Sequence, residues 1–151
     1  MEHLGGCHCG NLSLTMRLSE PPENVRLRAC GCSFCRAHST RTTSDPQGSV
    51  EVWAKDWALV EPYRFAMGTA EFLICRRCGY IGAFCETASG ARAVINTNAL
   101  HERARFAGEP TPYDHEGEAL DDRLARRAAN WTPAIVHRPR AVAAPAADVV
   151  G

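Results

Sequence analysis

Cysteines limit the folds open to this chain more strongly than any other residue type. Eight occur in 151 residues, and seven of them fall into three tight groups. The groups are Cys7-His8-Cys9, Cys30-Gly31-Cys32-Ser33-Phe34-Cys35 and Cys75-Arg76-Arg77-Cys78, and Cys85 stands alone. Clusters of this kind form disulfides in secreted proteins and bind metal in reducing compartments. The fold must bring these groups into defined positions.

The N-terminal residues favour the reducing compartment. Residues 1–6 have neither the basic segment nor the apolar segment of a signal peptide. No apolar run approaches the ~18 residues that a membrane helix needs. We therefore expect a cytoplasmic protein with no membrane association, whose cysteines bind metal. Two disulfides remain the alternative, although a Cys-x-Cys loop strains a disulfide.

The charge balance argues against a nucleic-acid partner. Lys and Arg number 17 and Asp and Glu also number 17, so the formal net charge is zero. A nucleic-acid binder normally shows a basic excess or stripe. The length fits one domain and is sufficient to bury a hydrophobic core, so metal is not the only source of stability.

Alternating apolar and polar residues predict a mainly β fold with short antiparallel sheets around zinc knuckles. The predicted strands cover residues 11–19, 25–29, 50–53, 63–67, 71–75, 80–86 and 91–96. A short helical turn is expected over residues 33–40. Asp56 is expected to cap another turn through Leu59. The cysteine groups then lie at strand ends and turns.

The composition changes after residue 107. Residues 116–130 place Leu120, Leu124 and Ala128 on one face with Trp131, which predicts a helix that Pro133 prevents from continuing. Residues 138–151 are rich in Ala, Pro and Val and predict an extended tail. We therefore divide the chain into a zinc-binding β domain, 1–107, and a C-terminal helix and tail, 108–151, that packs on it or trails from it.

The first and third groups have the composition of a closed zinc site. Together they supply four thiolates, from Cys7, Cys9, Cys75 and Cys78. Gly10 and Gly79 each follow the second cysteine of a pair, where a positive φ allows a tight turn. Four thiolates favour zinc. A zinc ribbon joining Cys32 and Cys35 to the third group is an alternative, but its usual gap of ~15–20 residues is about half of the present one.

The middle group predicts a second site of a different kind. Cys30, Cys32 and Cys35 supply three thiolates within six residues. Three protein ligands with a free fourth position are the pattern of catalytic zinc, and a thiol bound there would be deprotonated. His38 or Cys85 could instead close the site. We expect two zinc ions per chain, with the second site partly occupied.

The three groups in this order resemble a known family. Gly6-Cys7-His8-Cys9-Gly10, then residues 30–36, then Cys75-Arg76-Arg77-Cys78-Gly79 are similar to the glutathione-dependent formaldehyde-activating enzymes, a family that includes centromere protein V. The resemblance covers roughly residues 3–105. It departs from the family pattern at Gly31, where relatives often have histidine, and it does not extend to the C-terminal segment.

The resemblance implies a β-tent fold, a structural zinc on the four-cysteine set and a second zinc on the catalytic set of Cys30, Cys32 and Cys35. It also implies a carbon–sulfur lyase that handles S-hydroxymethylglutathione, with a small thiol such as glutathione as its partner. Two other hypotheses stay open. One is a non-catalytic zinc module that binds a protein partner, and the other is a redox or metal sensor that uses the middle group.

Overall fold

The mainly β class is confirmed in a computed structural model, which describes residues 1–139 and 149–150. The strands are β1 (Glu2–Gly6), β2 (Leu12–Arg17), β3 (Arg28–Cys30), β4 (Thr42–Thr43), β5 (Ser49–Ala54), β6 (Val60–Phe65), β7 (Glu71–Cys75), β8 (Gly79–Thr87), β9 (Gly90–Asn96), β10 (Thr111–Tyr113), β11 (Thr132–Val136) and β12 (Val149–Val150). The helices are α1 (Ser33–Ala37) and α2 (Leu120–Asn130). Short 3-10 turns lie at Pro22–Asn24, Trp57–Leu59, Thr97–Ala99 and Arg103–Arg105.

Most strands join one sheet in the order β1-β2-β5-β11-β9-β8-β7-β6-β12. Strand β4 pairs with β9 and with β3, and β3 pairs in turn with β10. The pairs β5–β11, β3–β10 and β6–β12 are parallel, and the others are antiparallel. Because β11 lies between β5 and β9, strands from both sides of residue 107 share this sheet.

The main core lies on one face of the sheet. Strand β2 alternates as the sequence predicts, with Leu12, Leu14 and Met16 buried and the residues between them facing outward. Val50 and Val52 of β5 pack against them. Complete burial of one such side chain stabilises the fold by about 1.5–3 kcal/mol. This core holds the β1–β2 and β7–β8 turns, which carry two of the cysteine groups.

A β-bulge in β8 changes which face its first residues occupy. Leu73 pairs with Gly82, but the next residue, Ile74, pairs with Tyr80, so Ile81 is an extra residue in β8. Ile81 is fully buried in the main core. Tyr80 is thereby placed against Phe72, with ring centroids 5.7 Å apart. The strand predicted over residues 80–86 is observed, and it contains this bulge near its start.

The C-terminal segment differs from the prediction. Helix α2 begins at Leu120, four residues later than expected, because Asp114 Oδ1 accepts a hydrogen bond from the backbone of Glu116 and Gly117 adopts a φ of +82°. It ends at Asn130, before Pro133 as predicted. Strand β11 follows immediately and was not expected. Most of the predicted tail, 138–151, lies outside the described residues, because the structure does not describe 140–148 and 151.

Among the described residues, no helix has the length and apolar character needed to cross a membrane.

Candidate metal centres

The first and third cysteine groups meet in a compact cluster. The Sγ atoms of Cys7, Cys9, Cys75 and Cys78 all lie within 4.8 Å of one another. Cys9 Sγ is 3.7 Å from Cys7 Sγ and 3.6 Å from Cys75 Sγ. A tetrahedron with Zn–S bonds of ~2.3 Å has sulfur–sulfur edges of ~3.8 Å. We call these four residues the closed cluster, and its dimensions fit a zinc ion.

Two turns shape the closed cluster. Gly10 N donates to Cys7 O at 3.1 Å, and Cys78 N donates to Cys75 O at 3.3 Å. Gly10 has a φ of +84°, in the region that favours glycine. Backbone amides also point at the sulfurs: Cys9 N donates to Cys78 Sγ and Leu12 N to Cys7 Sγ, both at 3.2 Å. Amide donors of this kind stabilise thiolates.

The pKa values of the thiols in the closed cluster indicate that a bound cation is needed to ionise all four. A backbone hydrogen bond at Asn11, with further hydrogen bonds from neighbouring thiols, lowers the pKa of Cys9 to about 7. Desolvation raises the pKa of Cys78 to about 12. Without a cation, the four groups therefore do not all ionise at neutral pH. A divalent cation would stabilise all four as thiolates, as metal binding to cysteines requires.

The middle group forms a separate cluster. The Sγ atoms of Cys30, Cys32 and Cys35 lie within 4.8 Å of one another. Cys30 ends β3, and Cys32 caps helix α1 by accepting a hydrogen bond from Cys35 N at 3.4 Å. We call this set the three-cysteine cluster. A Cβ atom at Gly31 would lie 3.3 Å from Tyr113 O, so the glycine permits a close approach of β10.

Neither candidate fourth ligand joins the three-cysteine cluster. Among the described residues, the metal-ligating group here consists of the three thiols alone. His38 stacks on Phe34 at 4.3 Å, and its Nδ1 lies 2.8 Å from Phe34 O. Cys85 is buried in a separate apolar cluster with Trp131. The zinc-ribbon pairing is not observed either, because the third group meets the first.

Aromatic residues surround helix α1, and the sequence analysis did not identify them. The ring of Phe34 lies 4.7–5.7 Å from four others, and these five rings form what we call the aromatic cluster: Phe34, Tyr63, Phe65, Phe72 and Tyr80. Phe34 lies between Cys32 and Cys35 in the chain, so its packing holds helix α1 and the three-cysteine cluster against the sheet. The sequence does offer one signal for this cluster: Tyr63 and Phe65 are two residues apart, which places both rings on the same face of a strand.

Tyr113 and His115 also lie beside the three-cysteine cluster. Hydrogen bonding by the Cys35 thiol, with a smaller contribution from the Tyr113 hydroxyl, lowers the pKa of Cys30 to about 5. The hydrogen bond between Cys30 and Cys35 raises the pKa of Cys35, and desolvation raises the pKa of Cys32. The rings of Tyr113 and His115 are 4.8 Å apart, and burial lowers the pKa of His115. Their position depends on the pairing of β10 with β3, which has no local sequence signal.

The disulfide alternative does not match the structure. All eight cysteines are free. The Cys9 Sγ atom is 3.6 and 3.7 Å from the Sγ atoms of Cys75 and Cys7, far longer than an S–S bond of about 2.05 Å. The structure thus contains two cysteine clusters that could hold metal ions and that are compatible with zinc.

Comparison with known proteins supports the fold. No protein-family model matches this sequence. A crystal structure of a protein from Rhodobacter sphaeroides is similar, with 26% sequence identity and a TM-score of 0.54. The alignment covers 73% of this chain and 99% of that chain. A mainly β protein with two candidate metal clusters is the class that fold and site define.

Proposed function

We propose that this protein is a zinc-dependent enzyme of the carbon–sulfur lyase type that acts on an adduct of a small thiol such as glutathione. One observation carries the proposal: among the described residues, four thiols converge in one cluster and three in the other. Four protein ligands complete a structural zinc site, whereas three leave a position for water or substrate. The sequence resemblance to the formaldehyde-activating enzymes supports the same substrate class.

In this proposal, the two clusters have different roles. Cys7, Cys9, Cys75 and Cys78 hold a structural zinc, and Cys30, Cys32 and Cys35 hold the catalytic one. Zinc bound to three thiolates would supply a Lewis acid that favours the deprotonated form of a fourth thiol. The aromatic cluster keeps α1 in place, because Phe34 packs on the sheet between two of the ligands.

The reaction needs a proton to move. For an S-hydroxymethyl adduct, the carbon–sulfur bond breaks with its electron pair going to sulfur, the hydroxyl oxygen forms the carbonyl of formaldehyde, and the hydroxyl proton is released. His115 is the candidate acceptor of that proton, because its ring lies against Tyr113 beside the three-cysteine cluster, and burial lowers its pKa. Tyr113, whose ring centroid is 4.8 Å from that of His115, is the candidate hydrogen-bond donor to the Cys30 thiolate.

Turnover and metal content together test the proposal. We expect two zinc ions per chain, and adduct formation and breakdown from glutathione and formaldehyde at a rate above the uncatalysed one. Cys35→Ser should remove one zinc and the turnover. His38→Ala is the matched control, since His38 lies outside the cluster, and should retain both. Two bound zinc ions without turnover across several thiols would overturn the enzyme proposal. One zinc and no turnover would favour the non-catalytic module.

A further inference from the structure

A cavity of about 560 Å³ lies near one end of the sheet, between β6, β7, β8 and helix α2. None of the seven clustered cysteines lines it. Part of its wall is apolar and comes from Phe84, Leu124 and Val136. The rest is charged or polar and includes Arg64, Glu71 and Arg138. The cavity is thus an amphipathic site that the proposed function does not use.

The charged part of the wall consists of two arginines and two glutamates, and both arginines pair with the same glutamate, Glu71. Arg64 donates to Glu71 Oε1 at 2.6 Å, and Arg138 donates to Glu71 Oε2. Burial acts to raise the pKa of Glu71, but these two arginines outweigh it and hold the pKa below its usual value. Both carboxylate oxygens already accept a hydrogen bond, so two cations share one anion. Arg64 Nε is buried and has no partner among the described residues.

A third arginine lies directly behind the wall. Arg127 is only 8% exposed. Its Nη1 donates to Thr69 Oγ1 at 2.8 Å and lies 3.5 Å from Cys85 Sγ, and both of these residues line the cavity. The guanidinium lies over the ring of Trp131 at 4.8 Å. The Nε of Arg127 has no hydrogen-bond partner among the described residues. No carboxylate of the described residues forms a salt bridge with Arg127 either.

Such an arrangement calls for an anion. A buried charge is costly unless an opposite charge compensates it. The aromatic face of Trp131 offsets part of that cost, but Arg127 has no carboxylate partner among the described residues, and Arg64 and Arg138 share the single carboxylate of Glu71. Glu86 also lines the cavity and opposes an anion, but it is exposed to solvent, which screens its charge. The local balance therefore remains positive.

We propose that this cavity binds a small organic carboxylate with an apolar body. The Arg138 guanidinium has further donors that form no hydrogen bond with the described residues, and its planar shape matches a carboxylate. Arg127 acts from behind Thr69 and Cys85 as a fixed positive charge. Phe84, Leu124 and Val136 cover the hydrocarbon part of the ligand. The Cys85 thiol lies in the wall beside it.

Titration of the zinc-loaded full chain with octanoate tests this site, with octanol as the uncharged control. We expect octanoate to bind and octanol to bind at least about tenfold more weakly, since a hydrogen bond to a charged group contributes that much or more. Arg138→Gln should weaken octanoate binding by about tenfold or more, because a hydrogen bond to the carboxylate is lost. Arg127→Gln should also weaken it, because a fixed positive charge behind the wall is lost. Glu86→Gln should strengthen it. Arg103→Gln, at an exposed position in a 3-10 turn, should leave it unchanged.

The proposal fails if octanoate does not bind, if octanol binds equally well, or if Arg138→Gln binds octanoate as tightly as the unaltered protein. Arg138 is more exposed than Arg127, so Arg138→Gln should fold normally. It therefore tests the proposal even if Arg127→Gln does not fold. A second readout is alkylation of Cys85 by iodoacetamide, which octanoate should slow and octanol should not. Neither measurement depends on adduct turnover, so this site can fail while the enzyme proposal stands.

Discussion

The backbone N–H of Cys9 donates a hydrogen bond of 3.2 Å to Sγ of Cys78, 69 residues further along the chain. It joins the β1–β2 turn to the β7–β8 turn. These strands lie towards opposite ends of the sheet order, so the sheet must curve around its core for the two turns to meet. A metal bound at this junction would hold the curvature in place.

Loss of one ligand of the closed cluster should therefore destabilise the whole fold. We expect Cys78→Ser to lower the free energy of unfolding by at least about 3 kcal/mol, because the binding energy of a structural zinc contributes directly to folding. Cys85→Ser is the matched control, outside both clusters, and should retain two zinc ions per chain. Denaturant unfolding and metal analysis measure both effects. Equal stability of the two variants would contradict a structural zinc.

A side chain at Gly10 should strain the backbone of the turn without causing a steric clash. Gly10 has a φ of +84°, and a Cβ atom there would meet no neighbour within 4 Å, so Gly10→Ala tests backbone strain alone. We expect a loss of about 1–2 kcal/mol in unfolding free energy. Gly108 also has open space, and its φ lies outside the positive range, so Gly108→Ala should change stability by less than about 0.5 kcal/mol. An equal effect at both positions would refute the strain argument.

Phe34 should stabilise the three-cysteine cluster. Its ring is half-buried and packs on four other aromatic rings. We expect Phe34→Ala to cost roughly 2 kcal/mol in unfolding free energy, below the cost at a fully buried phenylalanine. It should also weaken zinc binding at the second site more than at the closed cluster. Competition with a chelator measures each affinity, and equal weakening at both sites would argue against this local role.

Tyr113 should tune the ionisation of Cys30. Hydrogen bonding holds the pKa of Cys30 at about 5, and the Tyr113 hydroxyl contributes to that shift. Tyr113→Phe removes a donor to the thiolate, so the pKa should rise and alkylation of Cys30 at acidic pH should slow. The measurement is the pH dependence of iodoacetamide labelling after a mild chelator has removed the second metal. Tyr63→Phe is the control, and a profile unaltered by Tyr113→Phe would contradict the contact.

Much of the candidate site could be predicted because its signals are local. Ligand spacing within each cysteine group depends on a few residues, and Gly10 and Gly79 mark the turns that the thiols need. Polar and apolar alternation likewise predicted β2, although β1, which leads into Cys7, was not predicted. The grouping of the first and third sets also agrees with the structure, although occupation by zinc stays a prediction. Strand β11 escaped prediction because it is short and contains Pro133.

From the sequence alone follow the mainly β class and the three cysteine groups, since both are residue patterns within short segments. The tertiary structure decided what surrounds them. Tyr113 reaches Cys30 because β10 pairs with β3, and Tyr80 turns towards Phe72 because of the bulge at Ile81. Strand pairing over long separations is set by the packing of the whole sheet, and no short segment encodes it.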